Sequence, residues 1–406
     1  MIGTIADDFT GGADVAVAFR SEGLRTLLFF GVPPSSAELP EHDAIVIALK
    51  SRMAPASEAV AQSLEALEWL RRHGSDQIYV KYCSTFDSTP AGNIGPLLDA
   101  VADAMSVDVV PMTPSSPEHH RTQYQGYLFV GSLLLAESHM RDHPVNPMRE
   151  SSLPRLLRAQ TDRDVGVVEL DSVRHGDLGS ILEHCTARYL FLDAVDSEDL
   201  RVLGKALRER ALVAGAAGLA RGIAAAKPGT LSLSTNPSLA GRAAVLSGSC
   251  SARTLEQVAA MIRASRPAYR IDPVTHTDPE VLAAAALTWY DGLPDGAAPL
   301  IYSSMGPVDL QRTQEVLGVQ EASGILEATC ALVATGLVSR GVRRLVVTGG
   351  ETSGAVVSAL GISGGTIGEL ADAGVPWIHP VEMPDLALLL KSGNFGAVEL
   401  LVEATR

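Results

Sequence analysis

The stretch "LVVTGGETSGAVVSALG" (residues 345–361) decides the fold class. A β-branched run meets two glycines, Gly349 and Gly350, then Glu351, Thr352 and Ser353. Val356, Val357 and Leu360 follow at helical spacing. A strand that turns through glycine into a helix is the building unit of a parallel sheet, which needs a long crossover to bring the next strand back in the same direction. The turn also carries chemistry. The first amides of such a helix lack partners and lie at the positive end of its dipole, and glycines let an anion reach the backbone. Ordinary strand–turn–helix connections use Gly and Ser too, so this loop alone leaves phosphate binding and plain connection both open. The P-loop pattern G-x-x-x-x-G-K-[ST] occurs nowhere in the chain.

Outward from this unit the same alternation repeats. Short apolar runs, "IGTIA", "TLLFFGV", "AIVIALK", "QIYVKYC", "VDVVPM", "VGVVEL" and "YLFLDAV", read as strands in the first half. "SEAVAQSLEALEWLRRHG" (57–74) reads as a helix with Val60, Leu64, Leu67 and Leu70 on one face, stopping at glycine. "KPGTLSLSTNPSLAG" (227–241) breaks the period with Pro, Ser, Gly and Thr. Beyond it "AAVLSGS", a helix over 254–265, "PLIYSS", a helix ending near Arg340, and "RRLVVTGG" resume the alternation. The expected architecture is α/β: two domains, 1–228 and 242–406, joined by a crossing segment at 229–241. Largely parallel sheets covered by helices on both faces, with a ligand cleft between the domains, complete it.

Composition narrows the function. The 406 residues are 46% hydrophobic and 19% charged, the balance of a soluble globular protein. The most apolar candidate for a membrane span, "ALVAGAAGLARGIAAA", is broken by Arg221, and no run is expected to reach the ~18 residues that a span needs. Asp7 and Asp8 stand where a secretory signal would be apolar, so a cytoplasmic location is expected. A net charge of −15 argues against a nucleic-acid partner. Cys83, Cys185, Cys250 and Cys330 are far apart without a C-x-x-C pair, which excludes a disulfide framework and reads as reduced thiols. His119–His120 and His139/His143 lack the further ligand that would make a metal site persuasive, and the metal ligands stay unassigned.

Two further loops share the character of the first. "VLSGSCSARTLEQV" places Ser247, Gly248, Ser249 and Ser251 between strand and helix; "LLLKSGNFG" ends an apolar run with Lys391, Gly393, Asn394 and Gly396. Brought with Gly349, Gly350, Glu351, Thr352 and Gly354 to one sheet edge, these loops would wrap a nucleotide. In the first half, "IADDFTGGAD" (5–14), "ALKSR" (48–52) and "KYCSTFDSTPAGNIGP" (81–96) each follow an expected strand. They gather Asp7, Asp8, Thr10, Gly11, Lys50, Arg52, Lys81, Ser84, Asp87 and Ser88. Asp7 and Asp8 side by side at a strand end, with Asp14 a third carboxylate soon after, are costly unless something positive lies against them. Carboxylates beside lysine and arginine suit a polyhydroxylated anion: the cations take its carboxylate and the aspartates its hydroxyls. Asp and Ser are also favoured as caps and turn residues, and for Asp87–Ser88 both readings stand.

These motifs together resemble the four-carbon acid sugar kinase family over essentially the whole chain. "DDFTGGAD" matches its opening D-D-x-T-G-A-x-D, with Gly12 in place of alanine. "KYCSTFDSTPAGNIGP", "HRTQYQGYLFVG", "HPVNPM", "SGSCS", "GGETSGAVV", "GVPW" and "LKSGNFG" are similar to the branch acting on 3-oxo-tetronates. The chain departs from the family at "AGAAG" (214–218), at "SSMGPVD" (303–309) and at "PEHHRT" (117–122), where His119–His120 replace a common Asn-Gly. The resemblance implies a sugar-acid-binding N-terminal domain, a nucleotide-binding C-terminal domain, and ATP with Mg²⁺. It implies a phosphotransferase acting on the 4-hydroxyl of a 3-oxo-tetronate, with Asp7 and Asp8 receiving substrate hydroxyls and one of them acting as the base or helping to position Mg²⁺. Lys81 beside them is the third catalytic candidate, and a homodimer is left open. The rivals are a threonate or erythronate kinase of the same family and a non-catalytic sugar-acid or nucleotide sensor. An NAD-dependent dehydrogenase lacks its G-x-G-x-x-G.

Overall fold

The structure, a computed structural model, describes residues 1–34, 39–143, 146–227, 229, 241–372, 374–391 and 393–406. It divides into two compact units, Met1–Leu233 and Ser234–Arg406. The segment 229–241 expected as a crossing lies outside the described residues, apart from Gly229 and Gly241.

The first unit is built on β1 (Ile2–Ala6), β2 (Thr26–Phe30), β3 (Ala44–Ala48), β4 (Gln77–Lys81) and β5 (Val110–Thr113). A small antiparallel sheet follows, β6 (Arg121–Tyr124), β7 (Tyr127–Val130) and β8 (Leu133–Leu134), and then β9 (Val165–Val168), β10 (Tyr189–Leu192) and β11 (Leu212–Gly215). The main sheet runs β2-β3-β1-β4-β11-β5-β10-β9, with every pairing parallel. Every residue of β1, β3 and β4 is buried, as strands covered on both faces must be. The helix Ala56–Arg72 forms where the apolar period asked for one, but its buried face is turned from the expected one. Ala59, Ser63, Ala66, Leu67, Trp69 and Leu70 are buried, while Val60 and Leu64 are half-exposed at the rim.

Two expectations are corrected here. β11 and the helix Ala217–Ala225 come from the Ala- and Gly-rich run that carried no strand signal, because small residues have weak β preference. Close packing explains the composition: a Cβ on Gly215 would lie 2.4 Å from the Thr113 carbonyl, and one on Gly218 2.4 Å from that of Ser115. The second concerns hydropathy. The helix Val319–Ser339 is long and apolar enough to cross a membrane by length and composition, although no run was expected to be. It buries Ala322, Ile325, Thr329, Val333 and Leu337 on one face, packed on the helices Pro279–Asp291 and Gly350–Ala359. That is the pattern of a helix packed by one face on its neighbours.

The second unit holds β12 (Arg242–Ser247), β13 (Ala268–Arg270), β14 (Leu300–Tyr302), β15 (Val342–Thr348), β16 (Gly364–Asp372), β17 (Val375–Pro380) and β18 (Ala387–Lys391). Its order β13-β14-β12-β15-β18-β17-β16 is parallel from β13 to β18 and antiparallel across β17 and β16. The helix expected at 254–265 spans Ala252–Arg263, and "GVPW" lies at the start of β17.

Candidate active site

In the first unit β3, β1 and β4 end side by side, Ala6 paired with Ala48 on one flank and Lys81 on the other. The residues just past these ends meet. Asp8 caps the helix Phe9–Ser21, its carboxylate accepting the Gly11 amide at 2.8 Å. Arg52 donates from Nε to Asp7 Oδ2 at 2.8 Å and from Nη2 to Asp7 Oδ1 at 2.9 Å and Asp8 Oδ1 at 2.7 Å. The Asp7 carbonyl accepts the Ser51 and Arg52 amides, both at 3.0 Å, so backbone bonds fix the same geometry. Burial works against the Arg52 charge, but the Asp7 hydrogen bonds and charge, with Cys83 and Asp8 adding, hold it above the usual arginine range. A guanidinium has five N–H groups. Among the described residues nothing accepts from Arg52 Nη1.

Lys81 is buried and donates to the Tyr82 carbonyl at 2.8 Å. A Cβ on Gly11 would stand 2.4 Å from Asp8 Oδ1 and 2.6 Å from Lys81 Nζ, so glycine is required for these groups to close on the helix. Thr10 is exposed beside them, and Lys50 lies at the rim with Nζ 5.0 Å above the Phe9 ring. Ser84 is half-buried. Asp87 and Ser88 part company: Ser88 Oγ accepts from Gln160 at 3.0 Å, a turn role, while Asp87 Oδ1 is buried without a partner. Between Ser84 and Asp87, Phe86 adopts φ 53°, a conformation costing a bulky residue about 1–3 kcal/mol. Its fully buried ring, edge-on to Tyr82 and Phe191, holds that turn.

In the second unit the three loops do converge. Ser251 caps the helix Ala252–Arg263 and donates to the Gly393 carbonyl at 2.6 Å. A Cβ on Gly248 would be 2.1 Å from Thr352 Oγ1, and Gly349, at φ 110°, would bring one 3.2 Å from the Ser249 amide. Gly350 and Gly354, one turn apart at the start of the helix Gly350–Ala359, have open space where a side chain would be. Free amides, a dipole end and uncovered backbone form the cradle an anion needs. Glu351 and Asn394 are exposed at its margin, and Gly396 turns the third loop at φ 81°. Two expected ligands are otherwise engaged. Ser247 Oγ is buried with Ser304 and Thr348 hydroxyls at 2.7 Å each. Lys391 Nζ donates to Thr254 Oγ1 at 3.0 Å and to the carbonyls of Gly393 at 2.8 Å and Phe395 at 3.4 Å. Burial, then the charge of Arg253, lowers its pKa to about 8.

Several residues at these sites were not singled out by the sequence. Asn93 Nδ2 holds the carbonyls of Ser51 at 2.7 Å and Ala54 at 3.0 Å, and Asn146 Nδ2 holds that of Asp87 at 3.2 Å. Both lie inside quoted motifs, which is the signal that marked them. Thr254 and Gln257, on the face begun by Ser251, hold the 393–397 loop: Thr254 Oγ1 to the Gly393 carbonyl at 2.8 Å, Gln257 Nε2 to those of Phe395 and Ala397 at 3.1 and 2.8 Å. Ser353 Oγ is buried without a partner in the glycine loop. His120 has φ 59°, the left-handed region where the family's glycine sits more easily. No group of three or more His, Cys, Asp or Glu able to hold a metal occurs among the described residues.

Comparison with known proteins places the two units in known families. Residues 2–223 match the family model of a sugar-binding N-terminal domain, and residues 244–401 that of a nucleotide-binding C-terminal domain. A protein of Burkholderia multivorans named 3-oxo-tetronate kinase is 45% identical, covering 100% of this chain and 97% of the relative. One of Salmonella typhimurium with the same name is 43% identical, covering 100% and 98%. A crystal structure from Haemophilus influenzae superposes with a TM-score of 0.89 at 41% identity, over 99% of this chain and 98% of that one. The chain therefore belongs to the four-carbon acid sugar kinase family, alongside relatives named 3-oxo-tetronate kinase.

Proposed function

We propose that the protein is an ATP-dependent kinase that phosphorylates the 4-hydroxyl of a 3-oxo-tetronate. The observation that carries this reading is the cluster past β1, β3 and β4: a guanidinium held by two aspartates with Nη1 unspent, beside a buried lysine. Arg52 and Lys81 take the charge of a small acid, and Asp7 and Asp8 orient Arg52 and accept hydroxyls. Lys50 at the rim draws the anion in, and Thr10, Ser84 and Asp87 line its far side. Ser88 holds the loop that carries Asp87.

The second unit binds the phosphoryl donor. Amides at Gly350, Glu351 and Thr352 receive phosphate oxygens, with Gly354 leaving room; Ser249, Gly248 and Asn394 border them, and Ser251, Lys391, Gly393 and Gly396 shape the loop. Phosphoryl transfer demands positioning and charge neutralisation more than covalent help. Mg²⁺, when bound, neutralises the β- and γ-phosphates.

The test is ADP release from purified protein with ATP and Mg²⁺ against a panel of four-carbon sugar acids. Turnover on a 3-oxo-tetronate well above that on threonate or erythronate is expected. Equal rates on threonate contradict the branch, and binding without turnover on any acid favours a sensor.

A further inference from the structure

Three carboxylates gather past β1, and their partners differ. Both oxygens of Asp7 receive N–H groups of Arg52, and Asp8 Oδ1 receives the Gly11 amide and Arg52 Nη2. Asp14, one helical turn after Gly11 on the same face, receives no hydrogen bond from any described residue. Gly11 abuts Asp8 Oδ1 and Lys81 Nζ, so Asp14 stands over the same cluster. From the kinase reading above, on which this inference rests, the reaction must remove a proton from the acceptor hydroxyl.

We propose that Asp14 takes the proton from the acceptor hydroxyl, while Asp7 and Asp8 hold Arg52 and the substrate in place. As the new O–P bond forms, the hydroxyl O–H bond breaks and its proton passes to an Asp14 carboxylate oxygen. The bond from the γ-phosphorus to its bridging oxygen breaks, and its electron pair leaves with ADP. Asp14 then returns the proton to water. The environment suits the task. Burial raises the Asp14 pKa above the usual aspartate value, Asp8 adding to the rise, while Lys81, His119 and Arg52 pull the other way. A carboxylate made more basic in this way is the better proton acceptor. These four groups face Asp14 from four segments: the turn after β1, β4, the loop after β3 and the short turn Pro117–His119.

The test compares pH profiles of kcat for the wild-type protein, Asp14→Asn and Asp8→Asn on a 3-oxo-tetronate, with thermal melts as the folding control. The expected Asp14→Asn result is a fall in kcat of about 10²- to 10⁴-fold with little change in KM, and loss of the acid limb. Asp8→Asn should weaken the acid's KM and keep the acid limb. If Asp14→Asn does not fold, Asp14→Glu decides: an acid limb displaced from the wild-type position supports the assignment, and an unmoved limb overturns it. Near-wild-type kcat in folded Asp14→Asn, or an acid limb that persists there, also overturns it and assigns Asp14 to offsetting the Lys81 charge. A wild-type protein without turnover on any sugar acid instead defeats the kinase reading itself, a result distinct from an active wild type with an indifferent Asp14.

Discussion

The two loop clusters offer an anion opposite kinds of partner. Past β1, β3 and β4 the candidates are side chains: Arg52 is hydrogen-bonded to Asp7 and Asp8, and Lys81 Nζ lies across Gly11 from Asp8. Past β12, β15 and β18 the candidate is backbone: the start of the helix Gly350–Ala359 and glycines, Gly350 and Gly354, with open space among the described residues where a side chain would be. The lysine there, Lys391, is engaged with two carbonyls and a hydroxyl. A small acid with a few hydroxyls offers little surface, so recognition needs strong, directional partners. A polyphosphate offers many oxygens and is served by repeated amides. The first site should therefore fail when a side chain is removed, and the second when one is added.

The largest effect expected is that of Arg52→Ala. Losing a charge-assisted partner should raise KM for the sugar acid about 10- to 150-fold, with a smaller effect on kcat and ATP affinity unchanged. Leaving Asp7 and Asp8 without their cation should also cost about 3 kcal/mol or less of stability, read by denaturant unfolding. Gly350→Val sharpens the contrast from the other side. Because no described residue beyond its own turn lies within 4 Å of the added Cβ, the melting temperature should hardly move, while ATP affinity falls about tenfold or more by calorimetry.

Next comes the pH dependence of the Lys391 loop. The folded pKa of about 8 lies below the ordinary lysine value of 10.5, so between them the unfolded chain binds a proton that the folded one lacks. Lys391 therefore penalises the folded state below about pH 8, and stability rises as pH climbs through that window, by about 1–2 kcal/mol once relaxation around the ammonium is allowed for. Lys391→Met should lack this increment in unfolding curves at pH 8 and 10. Smallest is Gln257→Ala, which frees carbonyls of the 395–397 loop: about 1 kcal/mol of stability and a modest rise in KM for ATP, with the sugar acid unaffected.

The same contrast governs what the sequence disclosed. Strands such as 44–48 and 342–348 are long β-branched runs whose signal is local, and they lie where expected. Asp7, Asp8, Arg52 and Lys81 were legible because ionisable groups after strands are uncommon enough to be noticed. β11 was not, since Ala214 and Gly215 carry no local preference and are dictated by what they pack against. Nor was the antiparallel turn of β16 and β17, whose direction depends on partners distant in the chain. Ser247 and Lys391 read as ligands by type and position, yet the partners that engage them, Ser304, Thr348 and the Phe395 carbonyl, are set by tertiary contacts. Gln257 was missed for the converse reason: a glutamine within a helical period looks like a solvated face until the loop it holds is seen.

The most direct measurement is a crossed calorimetric titration of Arg52→Ala and Gly350→Val with a 3-oxo-tetronate and with a non-hydrolysable ATP analogue. The predicted result is that Arg52→Ala loses the sugar acid and keeps the nucleotide, while Gly350→Val loses the nucleotide and keeps the sugar acid. Nucleotide loss in Arg52→Ala with the acid retained, or acid loss in Gly350→Val with the nucleotide retained, would contradict the division of the two sites.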